Sequence, residues 1–382
     1  MNSIWRHMPE ASVVGMAVLV PWFFLWRATA ARPWTPLRRN FAIVSNLVLF
    51  VTFLLLSPTI NRKLTPAISQ WITAFGLSWA AVVLWTTLIY RISRALRPKA
   101  TEPPTQPARR QFLRVAAGAA YAAPAAVACA AILQRMDLRT REVELRIPGL
   151  PKDLDGLRMV QLSDIHLGQF VSRRDLRRAV DAANETRPQI ALVTGDLISY
   201  DGDPLEDCLH ELTRLRADAG VYGCLGNHET YAHSEEKTTQ WGGRLGMRFL
   251  RHQASTLQFG NARLNLAGVD YQRTKQEYLV GAESLVNPDA FNVLLSHNPD
   301  VFPVARSKGF PVTLSGHTHG GQVNVEILSN KINPARFFTR YTSGLYEEEN
   351  AALYVTRGIG TIGVPARLGA PPEVALIRLR AV

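Results

Sequence analysis

The stretch Arg158–His166 reads RMVQLSDIH, a short apolar run that ends in two side chains able to bind metal, Asp164 and His166. Short runs rich in aliphatic and β-branched residues are typical of strands. From residue 143 onward such runs alternate with polar, helix-like stretches, which is the pattern of an α/β domain. The stretch therefore predicts a strand whose carboxyl end carries part of a functional site.

The same kind of ending recurs at further apolar runs along the chain. They read QIALVTGD at 189–196, VYGCLGNHE at 221–229, NVLLSH at 292–297 and PVTLSGHTH at 311–319. In open α/β sheets, ligands bind outside the carboxyl ends of the strands. Glycines before Asp196, Asn227 and His317 permit tight turns there. We therefore expect the polar side chains at these strand ends to meet at one place.

The side chains at the strand ends have the chemistry of a transition-metal site. The candidate metal ligands are Asp164, His166, Asp196, Asn227, His297, His317 and His319. Carboxylate and amide oxygens mixed with imidazole suit Mn, Fe or Zn better than Ca or a thiolate-bound metal. An Asp-x-His or a Gly-Asp alone is common, and a lone His297 would more often be a hydrogen-bonded core residue, whereas Gly-Asn-His-Glu and Gly-His-Thr-His are each more informative. All five motifs in this order, each after a strand, favour a metal centre.

The motifs together match a known family. The set Asp164-x-His166, Gly195-Asp196, Gly226-Asn227-His228-Glu229, His297 and Gly316-His317-Thr318-His319 resembles the signature of the calcineurin-like metallophosphoesterases. The segments LSGHTHGGQ at 314–322 and LYVTRG at 353–358 are similar to the bacterial subgroup of membrane-anchored YkuE-type and YaeI-type phosphodiesterases. The resemblance covers about residues 143–382 and implies a four-layer αββα sandwich, in which two β-sheets lie between helices.

The resemblance also implies a role for each residue of the site. One divalent metal ion would bind Asp164, His166, Asp196 and His319, and the second would bind Asp196, Asn227, His297 and His317. Asp196 would bridge the two ions. His228 would be the catalytic residue that faces the substrate phosphate. Glu229 stands where the family often has Asp, at a position expected to orient His228.

The reaction implied by the resemblance is hydrolysis of a phosphate ester, most simply a phosphodiester, by a hydroxide that bridges two divalent metal ions. The expected ions are Mn, Fe or Zn, and the expected partner is a phosphate-ester substrate, which a membrane anchor would allow to be lipid-linked. No Ser or Cys stands out as a covalent nucleophile.

The N-terminal part of the chain differs from the rest. We predict an all-α transmembrane region of about four helices within residues 1–135, and the metallophosphoesterase domain within 143–382. The predicted spans are 11–31, 41–60, 71–90 and 113–134, with a Pro-rich linker at 97–110. Each span is about the length that crosses ~30 Å of hydrocarbon. Trp and Tyr near the span ends suit the boundary between water and lipid.

The charge of the chain lies in the same N-terminal part. Residues 1–146 hold 18 Lys/Arg and 5 Asp/Glu, and the overall formal charge is +12. The basic residues flank apolar segments, so we expect a lipid bilayer, and no nucleic acid, as a partner. The most basic loops fall on one side, which predicts a multi-pass bacterial inner-membrane protein with an extracytoplasmic catalytic domain. Arg109-Arg110 before an apolar run resembles a twin-arginine export signal.

Two alternative functions remain open at this point. One is a hydrolase of the UDP-2,3-diacylglucosamine pyrophosphatase type in lipid A synthesis, and the other is a non-catalytic metal-binding membrane module. The cysteines at 129, 208 and 224 follow no zinc or redox spacing, and unpaired thiols are favoured. The sequence leaves the oligomeric state open.

Overall fold

The computed structural model of the chain describes residues 36–55, 66–95, 107–168, 170–273, 276–327 and 330–382. The chain divides into two compact units, Met1–Ile132 with Gly363–Pro365 and Leu133–Ile362 with Ala366–Val382. Long helices occupy the N-terminal part: α1 is Pro36–Leu55, α2 is Pro66–Ala95 and α3 is Pro107–Gln134. The boundaries 1–135 and 143–382 stay predictions.

Helices α1 and α2 pack along one stripe of small and aliphatic residues. Ala42 and Leu49 of α1 are buried against Ala80 and Val83 of α2. The packing is close, because a side chain at Gly76 would meet Thr52 of α1. These two helices therefore form a pair held together by a narrow apolar seam.

The predicted transmembrane region is contradicted. In the parts of the chain that the structure describes, no helix is both long enough and apolar enough to cross a membrane. The span 41–60 lies in α1 as far as Leu55, 71–90 lies in α2, 113–134 lies in α3, and 11–31 lies outside the described residues. The prediction of about four membrane helices, and the multi-pass inner-membrane location that depended on it, are wrong.

The physical reason for this error is that an uncharged run is not necessarily an apolar one. The run 41–60 contains Ser45, Asn46 and Thr52, and the described side chains of Ser45 and Thr52 are buried within the helix pair. Helix α3 is rich in Ala, which contributes little transfer free energy, and Pro124 lies inside it. An uncharged run of this length was therefore not sufficient evidence for a membrane-spanning helix.

The second unit contains two six-stranded sheets. The first sheet has the order β1-β14-β2-β3-β4-β5, and its strands are β1 Arg139–Ile147, β2 Arg158–Leu162, β3 Ile190–Thr194, β4 Val221–Cys224, β5 Met247–Phe249 and β14 Glu373–Ala381. The second sheet has the order β12-β13-β9-β8-β7-β6, and its strands are β6 Gln253–Phe259, β7 Ala262–Gly268, β8 Phe291–Leu295, β9 Val312–Ser315, β12 Gly344–Glu348 and β13 Ala351–Val355. A separate antiparallel pair joins β10 Val325–Ile327 to β11 Asn330–Ile332.

The two sheets pack face to face between helices. Met159, Leu192 and Ile377 of the first sheet share one buried core with Leu266 and Leu314 of the second. The helices are α4 Arg173–Glu185, α5 Leu205–Leu212, α6 Asn227–Tyr231, α7 Glu235–Arg244 and α8 Phe302–Ser307. Leu176 of α4 and Leu209 of α5 cover the outer face of the first sheet, and Ala305 of α8 covers the second. The predicted α/β metallophosphoesterase fold is confirmed.

The strands that end at the candidate site are parallel within each sheet. In the first sheet β2, β3 and β4 are parallel neighbours, with Met159 opposite Ile190. In the second sheet β8 and β9 are parallel neighbours, with Val293 opposite Val312. Strands β3 and β8 are buried on both faces, which explains their continuous apolar sequences. The carboxyl ends of strands from two different sheets therefore supply the site.

Candidate metal centre

The candidate ligands sit on tight turns that follow the strands. Asp164, His166 and Asp196 have φ values of 50°, 50° and 57°, and His317 and His319 have values of 76° and 51°. This left-handed region is unfavourable for residues with a side chain and costs of order 1–3 kcal/mol each. Such strain persists only where the surroundings hold it in place, and it concentrates at functional sites.

One group of ligands comes from the ends of β2, β3 and β9. His166 Nε2 lies 3.1 Å from His319 Nε2, and His319 Nε2 lies 3.4 Å from Asp164 Oδ1. His166 Nε2 also lies 3.6 Å from Asp196 Oδ2. All four side chains are buried. Donor atoms that close together, from four side chains, can surround one cation.

A second group shares Asp196 with the first. Ligand atoms of Asp196, His297 and His317 lie within 4.8 Å of one another. Asp196 Oδ2, the oxygen that faces His166, is also 2.9 Å from His297 Nε2. The structure therefore places one carboxylate between the two groups predicted from the sequence.

Orphaned ligand atoms show that the site fits metal ions. Asn227 Oδ1 is buried and forms no hydrogen bond within the described part of the chain, and buried His297 Nε2 faces the carboxylate of Asp196 at 2.9 Å. His297 Nδ1 lies 2.7 Å from the carbonyl of Thr194 and must donate to it, because a carbonyl only accepts. In the neutral ring, the Nε2 lone pair then faces the oxygen of Asp196. A cation between these atoms would satisfy both.

The electrostatics of the site also favour the binding of cations. Burial lowers the pKa of His166 to about 3 and that of His317 to about 3, so both rings are neutral and offer lone pairs at neutral pH. Burial raises the pKa of Asp164 to about 6. Burial also acts to lower the pKa of His297, but the negative charge of Asp196 outweighs it and raises that pKa to about 10. The site thus attracts positive charge next to Asp196.

His228 lies beside these groups and is oriented by the backbone. Its Nδ1 donates to the carbonyl of Ser199 over 2.7 Å. Its ring centroid is 4.7 Å from that of His166, at an edge-on angle of 87°. The Ser199 hydroxyl also lies 2.9 Å from His166 Nδ1, so this one residue holds two of the site's rings.

Glu229 does not orient His228. Its Oε2 accepts from the backbone N–H groups of Asp196 and Gly226, each over 2.8 Å, and its Oε1 accepts from Leu197 N–H over 2.7 Å. The orienting role expected at this position belongs to Ser199 instead. The longer side chain of Glu lets one carboxylate reach two loops.

Arg367, which is fully buried next to His319, was not predicted from the sequence as part of the site. Its guanidinium donates to the carbonyls of Gly358, Gly360 and Ala370, and Nη2 is 3.4 Å from His319 Nδ1. No short motif reveals the roles of Ser199, Thr194 and Arg367. The carbonyls of Thr194 and Ser199 accept from histidines 103 and 29 positions away, and Arg367 donates to backbone carbonyls. For Ser199 alone, its position soon after Gly195-Asp196 was an available signal.

The structure therefore brings together all the residues singled out from the sequence. Asp164, His166, Asp196, His228, His297, His317 and His319 fall into overlapping groups of ligand atoms, and Asn227 begins α6 directly beside His228. Their assignment as ligands, and that of His228 as catalytic residue, stays a prediction.

Comparisons with known proteins bear on the second unit, within which the match to a family lies. The sequence profile of the family described as calcineurin-like phosphoesterase matches residues 157–321. The uncharacterized metallophosphoesterase YkuE of Bacillus subtilis is 30% identical over 286 residues, which cover 71% of this chain and 97% of YkuE. The phosphodiesterase YaeI of Escherichia coli is 29% identical over 222 residues, or 57% of this chain and 80% of YaeI.

A vertebrate relative shows the same domain in a longer protein. A zebrafish (Danio rerio) protein named as a transmembrane protein with a metallophosphoesterase domain is 32% identical over 254 residues. The match covers 63% of this chain and 56% of that relative. The chain therefore belongs to the calcineurin-like metallophosphoesterases, a family of hydrolases that use divalent metal ions to cleave phosphate esters.

Proposed function

We propose that this protein is a phosphodiesterase that binds two divalent metal ions and directs water onto the phosphorus of its substrate. The observation that carries the proposal is the position of Asp196 Oδ2, 3.6 Å from His166 Nε2 and 2.9 Å from His297 Nε2. A carboxylate oxygen shared by two groups of imidazoles is the arrangement expected for a bridging ligand in a two-metal site.

The residues at the site fit Mn, Fe or Zn, which prefer mixed oxygen and imidazole ligands. Asp164, His166, Asp196 and His319 would hold one ion, and Asp196, Asn227, His297 and His317 would hold the other. Such ions, when bound, supply Lewis acidity that lowers the pKa of water and neutralises charge on phosphate oxygens. Burial of the ligands excludes bulk water and strengthens these interactions.

His228 provides the proton chemistry. Because its Nδ1 is fixed as a donor to Ser199 O, only Nε2 is available to the substrate. In the cationic ring, Nε2–H would form a hydrogen bond with a phosphate oxygen and then transfer its proton to the leaving oxygen, which leaves the ring neutral with its remaining proton on Nδ1. No covalent nucleophile takes part in this scheme.

The choice of a diester as substrate is supported by the relative YaeI, which is named a phosphodiesterase. A lipid-linked phosphate ester belongs to the same reaction class, so it is included in the test.

The test is an assay of the full chain, freed of metal by chelation and then supplied with Mn²⁺. The substrates are bis(4-nitrophenyl) phosphate, 4-nitrophenyl phosphate and UDP-2,3-diacylglucosamine. We expect Mn²⁺-dependent turnover that favours the diester. The substitution Asp196→Asn should lower kcat/KM on the order of 10³-fold, because both ions lose a shared ligand.

Asp175→Asn is the matched control, because Asp175 lies on α4 and its carboxylate accepts from the backbone N–H and the hydroxyl of Ser172. Its turnover should equal that of the unaltered chain. Preference for UDP-2,3-diacylglucosamine would instead favour a hydrolase of the UDP-2,3-diacylglucosamine pyrophosphatase type. Absence of hydrolysis of all three substrates with Mn²⁺, Fe²⁺ and Zn²⁺ would contradict the proposal and favour a non-catalytic module.

A further inference from the structure

Glu229 is a fully buried carboxylate whose three hydrogen bonds all come from backbone N–H groups of two separate loops. One loop follows β3 and carries Asp196, and the other follows β4, contains Gly226 and leads into α6, which begins with Asn227 and His228. A buried carboxylate is costly unless its oxygens are fully bonded, so its presence here calls for an explanation.

The two loops are bonded in both directions. Glu229 accepts from Asp196 N–H over 2.8 Å, and Asp196 Oδ1 in turn accepts from His228 N–H over 2.9 Å. The loops are also in close contact, because a side chain at Gly226 would meet Asp196 Oδ1 and one at Gly195 would lie 2.5 Å from Gly226 N. A small relative movement of the loops would therefore break several contacts at once.

A simpler reading is that Glu229 only caps the short helix α6. It does so in part, since its bond to Gly226 N–H is one half of a capping box. A cap needs that single bond, however, whereas the carboxylate makes two more bonds to Asp196 and Leu197, which are not in α6. These two bonds hold Asp196 in its left-handed conformation at φ 57°.

We propose that Glu229 is a positioning residue that fixes the bridging carboxylate of Asp196 relative to Asn227, and thereby sets the spacing of the two metal positions. The inference rests on the proposed two-metal function. Glu229 touches neither substrate nor metal in this arrangement. It acts through the backbone of the residues that do.

Two substitutions separate this role from capping. Glu229→Gln keeps the length but replaces one accepting oxygen with an NH₂ group, which would face backbone donors. Glu229→Asp keeps the charge but is one methylene shorter, so it can reach Gly226 or the Asp196 loop but not both. Asp175→Asn is the matched control, because Asp175 occupies the same position in the capping box of α4, away from the site.

The measurement is Mn²⁺ binding to the full chain by titration calorimetry, with electron paramagnetic resonance of the loaded protein. The unaltered chain and Asp175→Asn should bind two Mn²⁺ ions and give the spectrum of an exchange-coupled pair. Glu229→Gln should bind the second ion about 10- to 100-fold more weakly, as loss of a residue supporting metal ligands typically does. Its spectrum, and that of Glu229→Asp, should be that of isolated Mn²⁺.

The outcomes separate this inference from the proposed function. If the unaltered chain binds no pair of Mn²⁺ ions, the proposed function fails and this inference with it. If it binds the pair and both Glu229 variants do so with unchanged affinity and coupling, only the positioning role is overturned. Should Glu229→Gln lack native circular dichroism, Glu229→Asp decides. Unfolding of both variants would assign Glu229 to the stability of the domain and overturn the proposal.

Discussion

A single substitution tests the role of His228. We expect His228→Gln to lower kcat by about 10²- to 10⁴-fold, the usual contribution of a positioned proton donor. Mn²⁺ binding should be retained, because the contact between His228 and Asp196 is made by the backbone N–H, which the substitution leaves in place. Steady-state kinetics and calorimetry on the same preparation measure both quantities.

His210→Gln serves as the control, since His210 lies in the last turn of α5 and is exposed. Its kcat should match that of the unaltered chain. A His228→Gln variant that keeps its kcat would show that His228 is not the proton donor, and loss of Mn²⁺ binding would show that its ring acts on the metal ions instead.

The chemistry of Asp164, His166 and Asp196 could be predicted from the sequence, because side chains after parallel strands meet at one edge. Their left-handed backbone conformation could not, since a non-glycine residue takes φ values near 50° only where its neighbours force it. The hydrogen-bond partners of Glu229 could not be predicted either, because they are backbone N–H groups, which carry no sequence signal.

Among the elements, the strands that end at the site were predicted from the sequence with each boundary correct to within one residue. The run predicted at Gln189–Thr194 is β3 at Ile190–Thr194, and the run at Pro311–Ser315 is β9 at Val312–Ser315. The distribution of these strands over two sheets followed from the family resemblance alone. Pairings such as that of β14 with β2 join residues more than 200 positions apart, so no local pattern signals them.

The loop that carries Gly358 and Gly360 depends on one buried side chain, Arg367. Because burial lowers the pKa of Arg367 only to about 10, the guanidinium stays charged at neutral pH. It donates to the carbonyls of Gly358, Gly360, Ala370 and His319. Arg367→Met would leave the carbonyls of Gly360 and Ala370 without this donor, whereas those of Gly358 and His319 keep the N–H groups of Glu373 and Gln322. We expect the free energy of unfolding in metal-free buffer to fall by about 3 kcal/mol.

Urea titration checks this expectation. Arg367→Lys keeps the charge but offers one nitrogen, so it should recover only part of the loss. Arg174→Met is the control, because Arg174 is exposed on α4, and the expected change there is within about 0.5 kcal/mol. Equal unfolding midpoints for Arg367→Met and the unaltered chain would show that the loop does not depend on this cation.

For the molecule as a whole, the prediction failed in the N-terminal part and succeeded in the C-terminal part because the two rested on different kinds of sequence evidence. The site was predicted from the coincidence of several independent motifs, each at a strand end. The membrane spans were predicted from apolar, mostly uncharged runs of about 20 residues with Trp and Tyr near their ends. Runs that contain polar residues such as Asn46, or that are Ala-rich as in α3, are also mostly uncharged over this length, but within the described part of the chain they form no helix apolar enough to cross a membrane.

The stability of the folded protein should depend on metal. The ligands converge only in the folded state, since they come from the ends of strands in two sheets, so a metal ion binds the folded chain far better than the unfolded one. Mn²⁺ at about 100 times its dissociation constant should then raise the free energy of unfolding by ~2.7 kcal/mol per site.

Urea titrations with and without Mn²⁺ measure this increment in the free energy of unfolding. Asp175→Asn should retain it and Asp196→Asn should lose most of it, because both ion positions share that carboxylate. An equal increment in Asp196→Asn would mean that Mn²⁺ binds elsewhere, and that the convergence of side chains around Asp196 is not a metal centre.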